Sequence, residues 1–88
     1  MDDTLVLSIN DIKEMAYLRK ENILFCVMTT DFILNHIKNG TPTEKVRTMA
    51  ISSIRSHLEI KQFEGDNYEH EFQRMKSIIN HFIDNLSL

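Results

Sequence analysis

NILFCVMTTDFILNHI, residues 22–37, decides how this chain is read. Six apolar residues stand in an unbroken row from Ile23 to Met28. At about 100° per residue, six consecutive positions sweep more than a full helical turn. A helix lying on a protein surface needs only one apolar stripe. This stretch carries two.

On a helical wheel, Ile12, Met15, Ala16, Ile23, Cys26, Val27, Ile33, Leu34 and Ile37 share one broad arc. Leu18, Phe25, Met28 and Phe32 fall nearly opposite, stepping by seven, three and four, with Tyr17 and Leu24 beside them. One arc can cover neighbouring helices of the same chain. The other would face water, which forfeits roughly 1.5–3 kcal/mol for each large side chain left unburied. A contiguous patch of that kind marks an interface.

The segments around this stretch are punctuated by the only two glycines and the only proline. In KNGTPTEK (38–45), Gly40 is placed to end a helix. Thr41, Pro42 and Glu44 then have the order of a capping box with proline at its first helical position. In FEGDNYEHE (63–71), Gly65 ends the second helix, Asp66 caps the third, and the acids at 66, 69 and 71 suit a helix N-terminus. Upstream, Ser8 can cap a helix with Asp11 at its third position, and Leu7 can staple to Ile12. Leu5–Leu7 reads as a tail packed along the bundle rather than a strand, since no second strand is available to pair with it.

These signals predict three helices over 9–39, 42–64 and 67–86 in one domain. The connections are short, so the fold class is all-α, an antiparallel three-helix bundle whose first helix is longest and two-faced. Val46, Ala50, Ile51, Ile54 and Leu58 give the second helix one apolar face. Tyr68, Phe72, Met75, Ile79, Phe82 and Leu86 do the same for the third, widened by Ile78 and Ile83. The competing arrangement breaks the first helix at Arg19–Asn22 or at Thr29–Asp31. Four shorter helices could then bury both arcs in a monomer.

The chain has 88 residues and a net charge of −3, with 42% hydrophobic and 26% charged residues. That is the composition of a globular domain rather than a disordered one or a general polyanion binder. The lone cysteine, Cys26, rules out a disulfide within one chain and sits where a small buried apolar residue belongs. The acidic MDD start lacks the basic region of a secretory signal, and no apolar run approaches the ~20 residues of a membrane span, so the cytoplasm is expected.

Catalytic signatures are not found. No glycine-rich phosphate loop, nucleophile elbow or HExxH is present, and no glutamate is followed three residues later by histidine. His36, His57, His70 and His81 read as surface residues. No cofactor, metal or enzymatic activity is expected. Lys45, Arg47, Arg55 and Lys61 outnumber Glu44 and Glu59 on the second helix. Lys45, Arg47, Thr48, Ser52 and Arg55 therefore form the alternative site, that of a small dimeric DNA-binding regulator, although the chain from Glu64 onward is acidic. The primary expectation is a non-enzymatic regulatory protein, an inhibitor or adaptor. It would dock on itself as a homodimer or on another protein through Tyr17, Leu18, Leu24, Phe25, Met28 and Phe32.

Overall fold

The computed structural model describes residue 13 and residues 15–86. Three helices account for most of them: α1 (Lys20–Lys38), α2 (Thr43–Ile60) and α3 (Gly65–Asp84). Each packs on the other two, and no strand occurs among the described residues, so the chain is an all-α three-helix bundle. The predicted cap at Ser8, the Leu7–Ile12 staple and the tail at Leu5–Leu7 lie outside the described residues.

The core follows from the periodicities of α2 and α3. Val46, Ala50, Ile54 and Leu58 are fully buried on α2, and Met75, Ile78, Ile79 and Phe82 on α3. Both are one-faced helices, and α1 closes over them with Cys26, Ile33 and Leu34. Val27 departs from the predicted arc: it is 48% exposed on the outer side of α1.

The first helix does not run unbroken from 9 to 39. Lys13 and Met15 are helical, residues 16–18 turn, and Arg19 is extended (φ −68°, ψ 149°) before α1 begins. At 19 residues, α1 is shorter than the 20-residue α3, so the first helix is not the longest. The break spans residues 16–19 and so takes in Arg19, the first residue of the polar interruption at 19–22, while the one at 29–31 breaks nothing. Thr29 Oγ1 donates to the Phe25 carbonyl (2.7 Å) and Thr30 Oγ1 to the Val27 carbonyl (2.6 Å). Both hydroxyls are thereby satisfied on buried threonines, and the helix continues.

Both turns close α1 and α2 with the same six-to-one hydrogen bonding. The Thr41 N–H donates to the His36 carbonyl and the Gly40 N–H to Ile37, with Gly40 at φ 89°. The Phe63 N–H donates to Leu58 and the Gln62 N–H to Glu59. The left-handed residue that closes α2 is Gln62 (φ 63°), so α2 ends earlier than Gly65 suggests; Gly65 is left-handed too (φ 57°) but stands at the start of α3. The Thr41 capping box does not form. Pro42 is the capping residue of α2, and the Thr41 hydroxyl shares a hydrogen bond with His36 Nδ1 instead (3.3 Å). Asp66 likewise lies inside the first turn of α3, after Glu64 at the cap.

Candidate functional site: an apolar groove between α1 and α2

Phe25, Met28 and Phe32 stand on the side of α1 that faces α2. Across from them α2 presents Ser52, Ser53 and Ser56, which are too small to fill the gap, and then His57 and Ile60. The result is an open groove of about 460 Å³ with an apolar α1 wall and a serine floor. That volume lies within the range of ligand and side-chain pockets. Met28 is 69% exposed and Ile60 77%, large values for apolar side chains at a groove rim.

The groove's aromatic wall is held by stacking. The Phe25 and His57 rings stack at 4.1 Å and 17°, and Phe32 lies against His36 at 4.4 Å. Both phenylalanines are partly buried against the core.

Behind His57 lies a buried polar chain. His57 Nε2 donates to Asn22 Oδ1 (2.8 Å), and Asn22 Nδ2 donates to Glu71 Oε1 (2.6 Å). Glu71 Oε1 also accepts the Arg19 backbone N–H (3.0 Å). The carboxylate of α3 therefore caps α1 from 52 positions away, on the end of the helix dipole that favours negative charge. His70 Nε2 sits 3.6 Å from Glu71 Oε2 and donates to the Tyr17 carbonyl (3.2 Å). Cys26 is fully buried nearby. Burial first, and the Glu71 charge second, push its thiol up to about 12. It is a packing residue at neutral pH, not a nucleophile.

Burial pulls the His57 imidazolium below its usual range, Lys61 adds to the effect, and Glu21 opposes it. The sign for stability follows. The unfolded chain takes up the proton near pH ~6.5 while the folded chain resists it. The contribution is complete above that pH and is lost as pH falls toward the folded value. The expected result is a lower urea midpoint at pH about 5.5 than at about 7.5. His57→Phe should reduce that difference, and an unchanged difference in the variant would show that other groups carry it.

The predicted interface residues separate on this framework. Phe25, Met28 and Phe32 meet in the groove. Leu24 (56% exposed) and Tyr17 (64% exposed) lie on the surface outside it, and Tyr17 carries the Arg74 guanidinium over its ring at 4.5 Å. Leu18 is buried in the chain's own core and offers no docking surface. Ile60, Ser56 and His57 are groove residues that periodicity misses, because they belong to another helix and lie off its apolar stripe.

Of the five residues of the nucleic-acid alternative, Lys45, Thr48, Ser52 and Arg55 step by three, four and three along α2 and are exposed, while Arg47 lies apart from them. Arg47 reaches α3, donating to Asp84 (2.6 Å) and Asn80 (2.8 Å) while pairing with Glu44 (3.2 Å). The Asp84 hydrogen bond holds its guanidinium still more firmly charged than usual. Arg55 lies over the Phe72 ring at 5.0 Å, and the Thr48 hydroxyl donates to the Glu44 carbonyl (3.0 Å). Ser52 opens into the groove, and Lys45 is exposed.

Among the described residues, no three His, Cys, Asp or Glu side chains group as metal ligands would, and no helix is long and apolar enough to cross a membrane. Comparison with family models, with curated proteins and with solved structures gives no match to this chain.

Proposed function

We propose that this chain is a small non-enzymatic interaction protein, an inhibitor or adaptor, that docks a helix of its partner into the α1–α2 groove. The observation that carries this reading is the groove itself. Phe25, Met28, Phe32 and Ile60 surround a hollow that the described residues do not fill. An amphipathic helix lays its apolar side chains into such a hollow at three- and four-residue intervals. The phenylalanines, packed on the core and against His57 and His36, supply large apolar contact area, and Met28 is soft enough to adapt its shape to the incoming side chain. The serine floor lets a partner backbone or small side chain approach closely. The nucleic-acid alternative is the weaker one, because Arg47 and Arg55 are engaged within the chain.

A photoreactive benzophenone side chain placed at Ser56 in cells tests this. Discrete protein adducts are expected from that position, lost when Phe32→Asp puts a charge into the groove wall. The same probe at Asp66, at the exposed start of α3, should yield none. No adduct at Ser56, or identical adducts from both positions, would overturn the proposal.

A further inference from the structure

We infer that the outer face of α1 pairs with the same face of a second copy, antiparallel, in a register set by Lys20 and Asp31. The inference goes beyond the docking reading above: it concerns a separate surface adjoining the groove, with a second copy of the chain as its partner. Lys20, Leu24, Val27 and Asp31 are all exposed and step by four, three and four along α1. Over eleven residues the helix turns through three full circles and about 20°, so the four share one line on its surface. No described residue forms an ion pair with Lys20 or Asp31.

The stripe is its own complement. A spacing of four, three, four reads the same from either end. Turned end for end, a second α1 brings its Asp31 to Lys20 and its Val27 to Leu24, and the two-fold axis makes each contact twice. A parallel copy would set lysine on lysine and aspartate on aspartate, so charge selects the antiparallel arrangement. Glu21 lies about 100° away around the helix and does not meet Asp31 of the second copy. Leu24 at 56% and Val27 at 48% exposure are the apolar centre that water leaves on pairing. One helix pair is a small contact, which makes this a weak dimer.

Sedimentation equilibrium on the full chain, with circular dichroism to confirm helicity, tests the pairing. Wild type is expected to be dimeric at high concentration. Lys20→Glu and Asp31→Lys should each raise the dissociation constant by about tenfold, since each converts both cross-pairs from attraction to repulsion. An equimolar mixture of the two single variants should form a heterodimer as tight as the wild-type dimer, because both of its cross-pairs are again opposite in sign. The double variant should also regain wild-type affinity. Leu24→Glu should give a folded monomer.

A wild type that stays monomeric at hundreds of micromolar, or single swaps that leave the constant unchanged, would overturn the pairing. Adducts at Ser56 with a different protein would then show that groove docking survives. A dimer that responds to the charge swaps while Ser56 yields no adduct would leave the pairing standing and remove the groove reading.

Discussion

Replacing Asn22 with leucine is expected to lower the unfolding free energy by about 3–5 kcal/mol, the usual cost of stripping a partner from a buried charge. The two side chains are similar in volume, so no cavity opens and the loss reports the hydrogen bonds. Asn22 is fully buried and stands between His57 and Glu71. Without it, a carboxylate only 4% exposed loses its shortest donor and keeps the Arg19 N–H. The His57 ring loses its acceptor at the same time. Adding Glu71→Leu to Asn22→Leu should recover part of the loss, because no buried charge is then left without its donor. Urea unfolding followed by circular dichroism measures all three proteins. A loss under about 1 kcal/mol for the single variant would mean that water or a rearranged His70 replaces the amide.

Phe82→Ala is expected to cost about 3–5 kcal/mol, from lost transfer energy and the cavity that remains. Phe82 is fully buried on α3 in the core shared by all three helices. For a chain of this size that is a large share of total stability. At roughly 4–8 °C per kcal/mol, the thermal midpoint should fall by at least about 12 °C. Ile60→Ala supplies the contrast. Its side chain is 77% exposed, so the change should stay within about 0.5 kcal/mol. A comparable loss at both positions would contradict the burial that distinguishes them.

The groove was half legible. Phe25, Met28 and Phe32 stood out because three- and four-residue steps put them on one side of a helix already provided with a buried face. What they face was not legible. Ser52, Ser56, His57 and Ile60 belong to α2, and no period along one helix records which residues of another come opposite. Leu18 failed for a related reason: its wheel position assumed a helix unbroken from 9 to 39, and the turn at 16–18 moves it into the core. The two phenylalanines lie between burial and exposure, so neither the fully hidden nor the fully exposed arc describes α1. Gln62 concealed the end of α2, since glycine is the residue expected at a left-handed position and Gly65 stood three residues further on.

Apolar spacing and the Gly40 turn, taken from the chain alone, determined the helical class, the buried faces of α2 and α3 and the second apolar face of α1. Those properties are local: they depend on residues three and four apart. Where α1 begins was decided only by the tertiary structure. No glycine or proline marks Arg19, and its own side chain does not cap the helix. The Glu71 carboxylate, delivered by α3, satisfies the free N–H at that end, and Asn22 ties it to His57 of α2. A helix terminus needs an acceptor, and here folding supplies one that no neighbouring residue in the chain provides.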